Sequence, residues 1–461
     1  MNRTLAICLA VFLMASCKQG NYQLVTNDPL LYCKTVKKLN DIVLENNFPP
    51  MIGSRNYVYA NIAAYEVVAS GDDSNYVSLA GQIKGLPPTT AWKGGAIDYP
   101  LAAMLAFVKV GNAVTFPEGS MMEYYNSLLE MADDAGMPDE VSNNSKKFAD
   151  EVSSRIMDWA KKDNYAQTRS AEKYNVTDED GRWVPTPPMY AQGMEAHWME
   201  IRAMVLDSSS QCKPPRPPKY NMKDTTSEFY RLAKEVKIIG EHLTDEQKHI
   251  ADFWDDNPFK LNVSGHVMFA TKKFSPPGHW MNISGIAAQK SKADFNKTVY
   301  AYTKTAIALF DAFISCWDEK YRSNTVRPET VINKYIDPEW RPYIQTPPFP
   351  SYTSGHSVIS AAAAVVMTDI YGENFSFKDT SSTEFGIEPR SFTSFMQASL
   401  EAGMSRLYGG IHYRSDIDAG TASGVKVGQL VLERLEMRKS KPAVTLSFNK
   451  PSPKKINENS N

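Results

Sequence analysis

The sequence predicts an all-α protein, a large helical scaffold of one bundle or two fused, crossed by long Pro-rich loops. Three observations carry this reading. Apolar residues recur at helical spacing in six long stretches, with little of the two-residue alternation of a half-buried strand. Four Pro-rich stretches punctuate them. The chain of 461 residues, 43% hydrophobic and 22% charged, is long enough to bury a large core.

Taken in order, 54–70 ("SRNYVYANIAAYEVVAS") is the first strongly helical pattern. Residues 226–243 and 244–256 follow, and the second opens on Thr244 with Gln247 three positions later, a capping-box spacing. The longest pattern runs over 295–321. The stretch 357–371 ("SVISAAAAVVMTDIY") is small and apolar nearly all round, which predicts burial on every side. A last helix is predicted over 420–438. The Pro-rich stretches at 183–190, 213–220, 274–280 and 346–350 read as loops laid over the scaffold, not as linkers between independent domains.

The N-terminus reads as an address. An apolar run from Leu5 to Met14, preceded by Arg3, is too short to span a bilayer and ends in Ala15-Ser16-Cys17. This resembles a bacterial lipobox: 1–16 as signal peptide, Cys17 as the lipidated first residue, and 17–29 as a linker. A plain signal peptide is the alternative. The following "KQG" lacks acidic residues, which favours the periplasmic face of the outer membrane. Residues 30–294 form an N-terminal helical region, 295–438 a helical region holding the chemistry, and 439–461 a polar, mobile tail. Net charge is −2, without the basic footprint of a nucleic-acid binder. Cys33, Cys212 and Cys316 show no Cys-x-x-Cys spacing, which argues against a thiolate metal site, and whether two of them pair stays open.

Three blocks concentrate the chemistry. The first is Lys320 to Pro328; Lys320 and Arg327, seven positions apart, fall on one helical face, with Pro328 as the stop. The second is Pro350-Ser-Tyr-Thr-Ser354-Gly355-His356. The third runs from Ser405-Arg406 to His412 and Asp416, the last two four positions apart. Lys320, Arg327 and Arg406 supply three cations. Ser354 supplies a hydroxyl, and Gly355 an unobstructed amide at the start of a helix, so the set suits a tetrahedral oxyanion. Asp416 is spaced to orient His412 and leave its other ring nitrogen free, with His356 as general acid/base on the opposite side. Taken singly, each feature has a blander explanation. His412 with Asp416 is a common structural pair, Lys320 and Arg327 a common solvated face, and Trp317 and Phe349 ordinary packing. Only the conjunction points to an oxyanion site. His279, in a Pro-Gly turn, reads as a loop residue; His197, His242, His249 and His266 read as structural or exposed. Ser354 lacks the Gly-x-Ser-x-Gly elbow of a serine hydrolase.

Lys-x6-Arg-Pro, then Ser-Gly-His, then Ser-Arg-x5-His-x3-Asp resembles the signature of the superfamily that joins type 2 phosphatidic acid phosphatases and vanadium-dependent haloperoxidases. The stretches 49–68, 243–258 and 278–332, and the three residues between Pro350 and Ser354, are similar to the haloperoxidase branch. The resemblance implies a helical bundle with a central site built by Lys320, Arg327, Ser354, Gly355, Arg406 and His412. It implies vanadate as cofactor, with phosphate as the isosteric alternative and neither haem nor flavin. Hydrogen peroxide and a halide are then the substrates: His412 holds vanadium, His356 takes a proton from hydrogen peroxide, and Lys320 polarises it. Trp317 and Phe349 fall where that branch lines its halide side. The alternative is a periplasmic acid phosphatase acting on phosphomonoesters through a phosphohistidine at His412. A non-enzymatic oxyanion-binding lipoprotein is the third reading. Under every reading the chain is expected to touch the membrane only through its lipid anchor and to bind no nucleic acid.

Overall fold

The computed structural model describes residues 21–115, 119–177, 179–257, 260–264, 267–271 and 273–439. The predicted address, Cys17, His266 and all but Lys439 of the predicted tail lie outside them.

Helices form where the apolar periodicity places them, and their ends follow local chemistry. Pro50–Gly71 is buried along nearly its whole length and packs against Tyr99–Val114 and Phe295–Ser323. Glu228–Glu241 is capped by Ser227. Asp245–Phe253 carries the capping box expected at Thr244 and Gln247. Phe295–Ser323 is capped by Asp294 and runs through the centre. Gly355–Tyr371 starts two residues earlier than predicted, because the Ser354 hydroxyl caps it by accepting from the Ser357 amide. The last helix, Arg414–Arg434, begins six residues earlier than predicted and stops four earlier. Two short antiparallel pairs, Lys260–Ser264 with Val267–Thr271 and Phe377–Asp379 with Arg390–Phe392, are additions the helical reading did not foresee.

One apolar cluster extends from Leu31 in the first half of the chain to Met437. Gly355–Tyr371 lies deep in it, buried continuously from Ser357 to Thr368 as its all-round apolar character requires. It packs against Phe295–Ser323, Phe395–Tyr408 and Arg414–Arg434. The last contact depends on a glycine row: a Cβ on Gly424 would stand 2.1 Å from the Val358 carbonyl oxygen, and one on Gly428 2.7 Å from the Val365 Cβ. Absent side chains there let the two helices meet backbone to backbone, which fixes how the ends of both helices face the site. A second, smaller cluster around Phe229, Val331, Trp340 and Tyr413 supports the site from outside.

Candidate active site

Phe295–Ser323 delivers Trp317 and Lys320 at its C-terminal end. It stops at Asn324, which adopts a left-handed conformation (φ 48°) and returns its amide to the Lys320 carbonyl. Arg327 therefore does not share a helical face with Lys320. It caps a separate helix, Pro328–Tyr335, and Pro328 opens that helix rather than ending the previous one. The spacing argument fails because proline fits the first helical turn as readily as it breaks an interior one.

The structure nonetheless brings the predicted residues together. Lys320 is fully buried, and its ammonium donates to the carbonyls of Pro350 (2.9 Å), Ser351 (3.0 Å) and Thr353 (2.6 Å). An ammonium has three donors, so all are spent on the loop that leads to Ser354. Burial pushes Lys320 down to about 7, with Arg327 adding to the push, while the three carbonyls favour the protonated form. Arg327 donates from Nε to the Phe349 carbonyl (2.8 Å) and from Nη1 to the Ile411 carbonyl (2.8 Å) and His412 Nε2 (3.0 Å). Its Nη2 is buried without a hydrogen-bond partner. Arg406 is held by the Ser405 hydroxyl (2.9 Å) and the backbone carbonyls of Trp254 and Asp255.

His412 lies just before Arg414–Arg434, and Asp416 sits in that helix's first turn. Nδ1 of His412 is 2.9 Å from Oδ2 of Asp416. Since Arg327 can only donate to Nε2, the ring proton belongs on Nδ1 and Nε2 presents a lone pair. Burial, then Arg327, Lys320 and Arg406, hold His412 well below the ordinary imidazole range. The helix-turn reasoning found this pair although His412 is not itself helical. Ser354 N–H donates to the Asp416 carbonyl (3.0 Å), tying the second block to the third.

Sequence reasoning missed three residues. Ser351 donates its hydroxyl to Asp416 Oδ2 at 2.5 Å, steadying the carboxylate that steadies His412; its only signal was its place inside the second block. Asp255 and Asp256, in "FWDDNP", line the cavity beside His356. Oδ2 of Asp256 is 3.7 Å from Nε2 of His356. Burial and then Arg406 hold His356 well below its ordinary value, which favours the uncharged ring. His279 corrects an expectation. It is no loop residue but is buried in the helix Pro276–Lys290, between Asp256 Oδ1 (2.9 Å) and Asp379 Oδ2 (3.0 Å). Those two carboxylates outweigh its burial and raise it to about 10. His197 is bonded to Glu200 and the Glu172 carbonyl, and His249 lies beside Arg390. Cys33, Cys212 and Cys316 are unpaired.

Of the predicted site residues, Trp317, Phe349, Gly355, His356, Arg406 and His412 line a cavity of about 270 Å³, together with Asp255 and Asp256, while Lys320, Arg327, Ser354 and Asp416 stand behind its wall. One side is polar, with His356, Arg406 and His412; the other is apolar, with Phe313, Trp317 and Phe349. The Trp317 N–H is satisfied by the Met194 carbonyl (3.2 Å), and its ring lies 5.1 Å from that of Phe349. A Cβ on Gly355 would meet only Trp317, at 3.9 Å, so the space beside its Cα is open. An imidazole lone pair, an orphaned guanidinium nitrogen, a second arginine and an open helix N-terminus fit a multiply charged tetrahedral oxyanion, vanadate included. Among the described residues no cluster of three His, Cys, Asp or Glu side chains could cage a bare metal cation.

Comparison with known proteins bears on the family and the fold. Residues 300–440 match the family model of the VCPO second helical-bundle domain. The fold superposes on the crystal structure of a bacterial vanadium-dependent iodoperoxidase with a TM-score of 0.83 and 44% identity, covering 90% of this chain and 98% of that one. Holo and apo structures of a bacterial vanadium-dependent chloroperoxidase share the fold at 16% identity, with TM-scores of 0.61 and 0.62. Each covers 84% of this chain, and the matches span 92% and 94% of theirs. No curated protein matches.

Proposed function

The chain belongs to the vanadium-dependent haloperoxidases, and from that premise we propose that it oxidises iodide, and bromide more slowly, with hydrogen peroxide at the His412 site. The observation that carries this reading is the state of His412: its proton fixed on Nδ1 by Asp416 and its Nε2 lone pair buried beside Arg327. The name of the 44%-identical relative favours iodide.

His412 Nε2 would hold vanadate once the Arg327 N–H turns from that lone pair to an oxyanion oxygen, and Arg327, Arg406, Ser354 and Gly355 would balance and orient its oxygens. When bound, vanadate supplies a Lewis-acidic centre that activates hydrogen peroxide towards halide without changing oxidation state. Asp416 keeps the proton on Nδ1, so Nε2 stays a donor of electrons. Neutral His356 accepts a proton from hydrogen peroxide, and the Asp256 carboxylate beside it stabilises the imidazolium that results. Lys320 contributes its charge and holds the loop through three carbonyls, so it shapes the cradle from behind. Trp317 and Phe349 give a poorly hydrated wall along which a weakly hydrated halide approaches.

The test is one preparation of the apo-protein, assayed before and after orthovanadate for oxidation of chloride, bromide and iodide and for hydrolysis of an aryl phosphate. Vanadate-dependent halide oxidation is the expected result. Rapid apo-phosphatase turnover that vanadate only inhibits, with no hypohalous acid, would establish the phosphatase instead. We also propose that Cys17 carries lipid and anchors the chain on the periplasmic face of the outer membrane, on the strength of Ala15-Ser16-Cys17. No helix among the described residues is long and apolar enough to cross a membrane. Mass spectrometry of the mature N-terminus decides the lipid, and an unmodified start elsewhere excludes it.

A further inference from the structure

Two thioethers belong to the cavity's lining, one of them exposed to solvent. Met189 is 45% exposed, and Met194 is half-buried; both line the cavity alongside Trp317, Phe349 and His412. Met194 is held from several sides. Its amide donates to the Pro348 carbonyl (2.9 Å), and its own carbonyl accepts from Trp317 Nε1 (3.2 Å) and the Tyr321 hydroxyl (2.6 Å). These bonds anchor the Met194 backbone beside Trp317, so its flexible thioether is tethered at the cavity lining. A thioether offers neither charge nor a useful donor, so the proposed chemistry does not use it. It is, however, one of the most readily oxidised groups in a protein.

We propose that Met194, with Met189 in the same cavity lining, is an oxidation site of this enzyme, the two being sacrificial thioethers that take up hypohalous acid before it reaches the Trp317 indole. This rests on the haloperoxidase reading, which supplies the oxidant. The sulfur lone pair attacks the halogen of hypohalous acid and hydroxide leaves, giving a halosulfonium. Water then adds to sulfur, and halide and two protons depart. In sum, thioether and hypohalous acid give sulfoxide, halide and one proton: sulfur loses two electrons, the halogen gains them, and halide returns to the cycle. The sulfoxide is polar where the thioether was apolar, so oxidation also makes the cavity's lining more polar.

The vanadate-loaded full chain is turned over with peroxide and iodide or bromide, hypohalous acid is recorded, and each methionine is followed by peptide mass spectrometry. Controls are peroxide without halide and hypohalous acid added from outside. Met131, Met157 and Met396 are half-buried like Met194 but do not line the cavity, and serve as internal references. During turnover Met194 is expected to gain one oxygen several-fold faster than these three; with external oxidant the order should follow exposure, Met189 first. Halide oxidation with Met194 no faster than the references overturns the proposal. Absence of hypohalous acid overturns the haloperoxidase reading itself. In Met194→Leu, Trp317 should be oxidised sooner and activity, normalised to that variant's own initial rate, should decay sooner. Equal lifetimes and intact Trp317 overturn the protective role.

Discussion

Nδ1 of His412 and Oδ2 of Asp416 stand 2.9 Å apart with both side chains buried, and the Arg327 guanidinium donates to the opposite ring nitrogen. One tautomer is thereby selected before any oxyanion arrives. Burial pushes Asp416 up to about 6, while the Ser351 hydroxyl, Lys320 and Arg327 pull the other way. Asp416→Asn removes the charge and lets the amide donate to Nδ1, which favours the wrong tautomer. Vanadate affinity is expected to fall about tenfold to a hundredfold, the usual size of such effects. Equilibrium dialysis of vanadate measures it directly, without relying on turnover. Unchanged affinity would show that Asp416 does not orient the ring. His412→Ala should lose tight binding altogether.

Lys320 has a separate prediction, because its three donors all end on backbone carbonyls. Lys320→Met leaves the Pro350 and Ser351 carbonyls buried without this donor, each at a cost of about 1–3 kcal/mol, and the Thr353 carbonyl with only the weak Cys316 thiol donor (3.9 Å). The apo-protein should therefore lose several kcal/mol of unfolding free energy, read from the denaturant midpoint with no vanadate present. A residue serving only to contact the oxyanion would leave apo stability nearly untouched.

The clamp on His279 gives a pH signature. Its folded value, about 10, lies above the ordinary imidazole value of 6.5, owing to Asp256 and Asp379. The folded state therefore binds the extra proton between these limits. The stabilisation is complete below about pH 6.5 and is lost as pH rises towards 10. Denaturant midpoints across that window should fall with pH in the wild type. His279→Phe leaves two buried carboxylates without their cation and should be strongly destabilised, by about 3–5 kcal/mol. It should also lose this slope. An identical slope in the variant would assign the pH dependence to another group.

The difference between what the sequence revealed and what it concealed has a physical basis. The burial of Gly355–Tyr371 and the capping at Thr244 were legible because they follow from residues close in sequence. The three blocks were legible as chemistry because cations, small residues and histidines concentrate there. Lys320 and Arg327 were assigned to one helix because nothing local announces that Asn324 turns left-handed. His279 looked like a loop residue since its partners, Asp256 and Asp379, lie 23 positions before and 100 after it. Ser351 was hidden for the same reason: its hydroxyl acts on Asp416, 65 positions away. Long-range pairing of polar groups in a helical fold leaves no periodic trace.

Phe349 offers the sharpest test of the apolar wall. Its ring packs against Trp317 at 5.1 Å and lies 4.9 Å from the Lys320 ammonium and 5.0 Å from the Arg327 guanidinium, while its carbonyl accepts from Arg327. Its ring therefore lies over both buried cations as a surface that offers a halide no hydrogen-bond donor. Phe349→His keeps the backbone acceptor and a flat ring but adds a donor that a more strongly hydrated halide can use. The expected outcome is a shift in the ratio of bromide to iodide kcat/KM in favour of bromide, with vanadate affinity changed much less than in Asp416→Asn. Both quantities are measured on the same preparation. If the halide ratio stays fixed while stability alone falls, Phe349 is packing for Lys320 and Arg327 and no part of a halide wall.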